Sequence, residues 1–437
     1  MHESFNIPLW TSIPFAIMLL AIAAGPLLAE KWWEENKNKL LVSVFLSIPV
    51  IIYMLVNGLS VNLTHTILYD YIPFIILLGS LFIITGGIHL SGDIKAKPLN
   101  NTLFLTIGYV LASIMGTTGA AMLLIRPLIA TNSERRFTTH TILFFIATVA
   151  NCGGLLTPLG DPPLFMLFLR GAEFTWFLKL FPEWLFAGIM LLATYYFTDR
   201  YYYKKESWTD VAEDYIRIKP LRVSGTINLL FLTGIVAAVA FINKSNIPQM
   251  GEANAPVWLT FLREVVLIVL AAMSLFYTKK DIRRNNNFSW TPIIEVAYLF
   301  LGIFVTMAPA LVWLAHNAAS FGVTKPWQFL YASGLLSSFL DNTPTAVAFY
   351  DLARGLVTSG LHETTLVAGV PEIILRAICV GAVFFGAMTY IGNGPNFMVK
   401  SIAETSGIKM PGFFSYIWKF SLIVLLPIYI LTQLIFI

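Results

Sequence analysis

The chain has 437 residues, of which 57% are hydrophobic and 12% charged, with a mean hydropathy of +0.74. Soluble domains carry about 25% charged residues, so this composition excludes a water-soluble globular protein and points to a polytopic membrane protein. The net charge of +4 calls for no nucleic acid, and two cysteines, Cys152 and Cys379, cannot supply a disulfide framework or a CxxC metal site.

A membrane span needs about 20 apolar residues. Residues 1–10 contain no Lys or Arg, so they lack the basic start of a cleavable signal peptide. Spans are predicted at 9–29, 39–57 and 67–90, which form the scaffold helices of a first half. Residues 99–131 are apolar but interrupted at Gly116-Thr-Thr-Gly119. Two helices of about 15 residues cannot each cross, so this stretch reads as a re-entrant hairpin with its tip at mid-membrane. The next span, 137–169, is broken at 157–163. A short amphipathic piece, Phe174 to Phe181, precedes a span at 182–199. A polar linker, 200–223, separates the first half (1–199) from the second (224–437). The second half repeats the plan. Scaffold spans at 224–243, 257–277 and 292–314 lead to a hairpin at 326–357, interrupted at Asp341-Asn-Thr-Pro344. A broken helix at 371–403 and a last span at 415–437 follow. The expected fold is all-α: about ten transmembrane helices in two inverted repeats, each with a re-entrant hairpin and a broken helix.

The breaks are dictated by residue type. In Thr157-Pro-Leu-Gly-Asp-Pro-Pro163, the three prolines donate no backbone hydrogen bond and clash with the preceding turn. Non-helical backbone at membrane depth is tolerated only where protein or a water-filled cavity solvates it. An acid at such a break, Asp161, is by default a functional residue. Thr389-Tyr-Ile-Gly-Asn-Gly-Pro-Asn-Phe-Met398 lies on Thr157 to Met166 without a gap, with Asn393 on Asp161. Ser113 to Ala121 likewise lies on Ser338 to Ala346, with Gly116 on Asp341 and Thr117 on Asn342. Paired interruptions in two halves point to a transporter's binding site.

Charge tests the layout. With the N-terminus outside, the inner segments 30–39, 91–97, 132–136, 199–222, 278–290 and 400–419 hold 20 Lys or Arg, and the outer segments hold 5. Three more, Arg126, Arg263 and Arg376, fall in membrane segments. This is the positive-inside bias. It holds only if both hairpins re-enter, and it makes the halves inverted, with both termini on the periplasmic side of an inner membrane.

At the breaks, Thr117, Thr118, Thr157, Ser338, Asn342, Thr343, Thr389, Asn393 and Asn396 offer neutral oxygens, and Asp161 and Asp341 add negative charge. Hard oxygen ligands suit Na⁺ or Li⁺, with Asp161, Asp341 and Asn342 as the central ion ligands. Desolvation lets a carboxylate hold a proton, so H⁺ and Na⁺ would compete for one group. Structural roles stand beside these. Asp161 or Asp341 could cap a helix start, and the Thr and Asn residues could satisfy broken backbone. Glu295 reads as a juxtamembrane charge or a second titrating group, and His89 and His316 as interfacial residues. Arg126 and Arg376 could pair with a membrane acid, reach the interface, or contact an anionic substrate. No nucleophile–base pair or HExxH motif supports an enzyme, and no cofactor is implied beyond the transported ions.

Gly116-Thr-Thr-Gly-Ala-Ala-Met-Leu-Leu-Ile-Arg-Pro127, Asn151-Cys-Gly-Gly-Leu-Leu-Thr-Pro-Leu-Gly-Asp-Pro-Pro-Leu-Phe165 and Ser338-Phe-Leu-Asp-Asn-Thr-Pro344 carry a resemblance. With them, almost the whole chain resembles the ion transporter superfamily, in particular the NhaD-type sodium/proton antiporters. That superfamily also holds arsenite permeases, citrate transporters and divalent-anion:sodium symporters. The resemblance implies a scaffold domain, a transport domain of hairpins and broken helices, elevator-like movement, and a homodimer within the lipid. In dicarboxylate symporters each hairpin tip carries Ser-Asn-Thr. Here the tips are Gly-Thr-Thr and Asp-Asn-Thr, and Asp341 would repel a carboxylate. The expectation is therefore Na⁺(Li⁺)/H⁺ exchange, with Na⁺- or H⁺-coupled transport of a citrate-, dicarboxylate- or arsenite-like anion as the alternative.

Overall fold

The computed structural model describes residues 7–208, 220–252, 254–360 and 365–437. The N-terminal residues 1–6 and the centre of the predicted linker, 209–219, lie outside the described residues. Helices make up 76% of the protein, and the strands described form two short two-stranded ladders. The fold is an all-α polytopic membrane protein.

The chain opens with α1 (Ile13–Leu28), α2 (Asn36–Val56) and α3 (Ser60–Thr85). Helices α4 (Pro98–Met115) and α5 (Thr117–Thr131) form a hairpin, and α6 (Thr139–Leu156) and α7 (Pro162–Leu169) a broken helix. Helix α8 (Phe174–Tyr203) closes the half. The second half runs α9 (Ile227–Phe241), α10 (Leu262–Tyr277), α11 (Thr291–His316), α12 (Pro326–Phe339), α13 (Asn342–Thr358), α14 (Glu372–Phe385), α15 (Gly394–Thr405) and α16 (Phe413–Phe436). Seven of these (α2, α3, α4, α6, α8, α11 and α16) are long and apolar enough to cross a membrane unaided. Helices α1, α9 and α10 have 16, 15 and 16 residues, so the spans expected there are shorter than predicted. The short piece expected at 174–181 is present but continuous with the span that follows it. A helical turn, Phe174–Phe177, and a tighter one, Leu178–Leu180, run into the main part of α8, Phe181–Tyr203, where Pro182 falls in the first turn and its missing N–H costs nothing.

Backbone chemistry places the interruptions. Gly116 adopts φ +81°, which L side chains rarely reach, and it alone ends α4 and starts α5. The four-residue interruption expected at Gly116 to Gly119 is thus one residue long. Thr117, Thr118 and Gly119 form the first turn of α5, where amide N–H groups lack intrahelical acceptors. Thr157 and Asp161 are both extended, as are their counterparts Thr389 and Asn393.

The same bonds staple both breaks. The Thr157 hydroxyl donates to the Ser113 carbonyl, and the Ser113 hydroxyl donates to the Gly153 carbonyl. In the second half the Thr389 hydroxyl donates to the Ser338 carbonyl, and the Ser338 hydroxyl to the Phe385 carbonyl at 3.2 Å. Two residues beyond each threonine, the Leu159 and Ile391 amides donate back to its hydroxyl at 3.2 Å. Each broken helix is thereby fastened to the first arm of its hairpin.

The ends of the helices sort into two faces. On one, β1 (His89–Ser91) pairs antiparallel with β2 (Arg222–Ser224). Asn101 and Asn132 close the base of the first hairpin at 2.8 Å, and Arg135 pairs with Asp199 at 2.7 Å. Thr139 donates to the Lys409 carbonyl at 3.0 Å. These contacts gather four of the Lys- and Arg-rich segments on one side. At the other end of α8, Trp176 and Lys179 both donate to Glu372, at 3.0 and 3.2 Å. Between the faces, α2 turns Phe45, Ile48, Ile52 and Val56 outward, a surface suited to lipid.

Gly160 sits against the Gly154 backbone, and Gly392 against the Gly386 carbonyl. A Cβ at either would overlap backbone that the staples hold. Gly160→Ala and Gly392→Ala are expected to cost about 3 kcal/mol or more, removing the monodisperse peak in detergent size-exclusion chromatography. Gly394→Ala, with nothing within 4 Å of the added carbon, is expected to leave that peak intact.

Candidate functional site

Asp161 is 1% exposed and precedes α7, but its side chain does not cap that helix. Only its backbone carbonyl serves α7, accepting from Leu164 at 3.0 Å. The carboxylate turns instead toward three other segments. Its Oδ1 accepts from Thr117 Oγ1 on α5 at 2.8 Å and from Asn393 Nδ2 at the second break at 3.3 Å. Its Oδ2 accepts from Asn342 Nδ2 at the start of α13 at 2.5 Å. Both hairpin tips and both broken helices therefore meet at one acid. All its donors are neutral. A buried carboxylate with hydrogen bonds but no cation is costly to keep charged, so a proton or a small cation can bind there.

Asp341 behaves differently. It is the N-cap of α13, and its Oδ1 accepts from the Thr343 amide at 3.0 Å. It also lines a cavity of about 110 Å³ beside the tips, shared with Thr117, Thr118, Pro162, Asn393 and Gly394. Asp161 lies one layer behind this cavity, screened by its own donors Thr117 and Asn393. The starts of α5, α7, α13 and α15 all reach the cavity wall. Helix N-termini carry partial positive charge and favour anions, which offsets the field of the two acids.

The remaining expected residues divide. Thr118 lines the cavity, and its hydroxyl has no partner among the described residues. Thr343 follows Asp341 in the first turn of α13 and is buried, with a loose contact of 3.5 Å to Asn342. Thr157 and Thr389 spend their hydroxyls on the staples and are not brought to Asp161. Asn396 is fully buried and donates to the Gly386 and Thr389 carbonyls at 2.8 and 2.9 Å. It too holds the break rather than the cavity. Asn151 is absent from the expected set. It donates to Asn396 Oδ1 at 2.7 Å and accepts from Asn393 at 3.2 Å, so it orients the amide that faces Asp161. Its signal was an Asn inside the apolar run of α6.

Neither arginine lines the cavity. Arg376 is paired with buried Glu183 at 2.6 Å and donates to the Lys179 carbonyl at 3.0 Å. Arg126 is half-buried and makes no hydrogen bond or ion pair among the described residues. It stands nine positions past Thr117 on α5, roughly 14 Å along the helix. Glu295 pairs with Lys39 at 2.8 Å, as a juxtamembrane charge would.

The family model described as "Putative citrate transport" matches residues 4–437. The chain belongs to this family. A relative in Mycobacterium leprae (strain TN), described as a "46 kDa membrane protein", is 24% identical over 411 residues, covering 89% of this chain and 90% of that one. The citrate-transport family is a membrane transporter family of the ion transporter type, so the broad resemblance holds at that level. The family's description is of citrate, not of the NhaD-type antiporters. The worth of each neutral donor to Asp161 is measurable. Thr117→Val leaves a buried carboxylate oxygen short of a donor, and is expected to cost about 1–3 kcal/mol, read as a lowered Tm in detergent. Thr118→Val is expected to shift stability by no more than about 0.5 kcal/mol.

Proposed function

We propose that this protein is a cation-coupled secondary transporter whose cargo is a small carboxylate of the citrate class. The observation that carries this is the buried Asp161 carboxylate, held by Thr117, Asn342 and Asn393 directly behind a cavity edged by four helix N-termini. A threonine hydroxyl and an asparagine amide each have a donor and an acceptor end. They can donate to an ionised Asp161, or turn and present oxygen to a cation bound there. The same four residues therefore serve with H⁺ or Na⁺ present or absent. The cargo would sit in the cavity against the amides of Thr118 and Gly119. Its negative charge would be admitted once the coupling cation has neutralised Asp161, which ties cargo binding to cation binding. The family's citrate description supports this cargo class. An elevator-like movement of the hairpins and broken helices against the scaffold helices, a homodimer, and an inner-membrane location with periplasmic termini belong to the same proposal.

A second reading, Na⁺(Li⁺)/H⁺ exchange without organic cargo, is favoured by Asp341 in the cavity wall and by the absence of arginine from that wall. Arg126 and Arg376 have no part in either reading.

The two readings separate in proteoliposomes. Labelled citrate uptake driven by an inward Na⁺ or H⁺ gradient is expected, and Asp161→Asn is expected to reduce it at least 100-fold. Collapse of an imposed pH gradient by Na⁺ or Li⁺ alone, with no citrate uptake, would replace citrate transport with exchange. Asp341→Asn removes a negative charge from the cavity wall and is expected to lower the KM for citrate-class cargo, but to abolish cation exchange under the second reading.

A further inference from the structure

The cavity beside the hairpin tips takes its scaffold wall from one end of the membrane only. Leu78, Leu81 and Phe82 come from the last two turns of α3, and Pro292, Ile293, Val296 and Phe300 from the first three of α11. These ends adjoin β1 and the basic segment Lys280–Asn285, on the face of the Lys- and Arg-rich loops. At its other end α3 is tied down. Thr66–Tyr71 is a π-helical stretch, and Asp70 is buried within it. Wide turns of this kind inside helices are common at functional sites. Asp70 Oδ2 lies 3.8 Å from Nη2 of Arg170, the residue that ends α7. Arg170 Nη1 donates at 3.0 Å to both carboxylate oxygens of Asp351 on α13, and its guanidinium lies 5.5 Å from the Tyr350 ring.

The two acids are not equivalent. Arg170 and Asp351 both belong to the hairpin and broken-helix unit, so their close pair survives if that unit moves. Asp70 belongs to the scaffold, so its longer contact is the one a movement must break. We infer that Arg170 is a latch at the outer gate, docking the moving unit on Asp70 in the state whose cavity opens toward the basic loops. On release, Arg170 leaves with Asp351 as counter-ion, so the moving pair is near neutral, which lowers the cost of carrying it through a low-dielectric layer. Asp70 stays behind in a second cavity of about 120 Å³ that it shares with Lys244, a scaffold cation able to replace Arg170. The inference rests on the transporter reading for the existence of a second state, but not on the identity of the cargo.

The test uses the full chain carrying Val296→Cys in right-side-out and inside-out membrane vesicles, probed with a membrane-impermeant maleimide. Cys152 and Cys379 are fully buried and form a silent background. Val296→Cys is expected to react only from the face of the basic loops. Adding Asp70→Asn removes the docking contact while Arg170 keeps Asp351, so the chain still folds. It is expected to slow that labelling roughly five-fold by shifting the population away from this state, and Asp70→Glu is expected to restore it. A labelling rate in Asp70→Asn within two-fold of the parent would overturn the latch. So would labelling of the parent from the opposite face, or none from either. Citrate uptake that fails while Asp70→Asn slows labelling would sink the cargo assignment and leave the latch standing.

Discussion

A carboxylate removed from water must be given hydrogen bonds, a counter-charge or a proton, and the arrangement of this protein follows from meeting that demand at Asp161 without a counter-charge. Had an arginine been supplied, the acid would be permanently ionised and permanently paired. Neutral donors leave it without a fixed counter-charge. Supplying them takes three separate segments, and none of the three can arrive unless a helix is interrupted at mid-membrane. The glycine at 116, the prolines after 161 and the cap at 341 are the local means to that end.

Interrupting a helix in lipid frees backbone groups that must be satisfied internally. The protein solves this once and uses the solution twice. A threonine hydroxyl reaches a serine carbonyl on the neighbouring hairpin, an amide two residues on returns to the same hydroxyl, and a glycine pair lets the strands of backbone touch. The halves differ where chemistry is placed on this common frame. The first half carries the acid at its broken helix, the second at its hairpin tip. One acid is held by side chains from elsewhere in the chain, the other by the amide of its own helix.

The sequence made the breaks legible because proline, glycine and asparagine in an apolar run admit few backbone solutions. Loop charge identified which ends share a face, and the pairing of β1 with β2 agrees with it. It did not reveal what each polar residue at a break does. Thr117 and Thr157 look alike in sequence, yet one faces Asp161 and the other staples backbone, because the choice depends on which neighbour lies within reach in three dimensions. The capping question was decided the same way. Asp341 finds the Thr343 amide two residues on, while Asp161 is followed by two prolines that offer no N–H. Arg170, one of the five basic residues of the outer segments, carries no local sign of its partners, because Asp70 and Asp351 lie 100 and 181 positions away in the chain.

The donors to Asp161 are spread over the chain, with Thr117 44 positions before it and Asn342 and Asn393 181 and 232 positions after it. This order has a consequence for how the molecule is made. As the ribosome delivers the chain from its N-terminus, the first half enters the membrane with its central acid served by one hydroxyl. It waits there until nearly nine-tenths of the polypeptide has been synthesised. During that interval the carboxyl group has one of its three side-chain donors, and a charge left short of partners in lipid is costly. Translation therefore delivers the last of the three donors, Asn393, only after most of the chain that surrounds the acid is already in place.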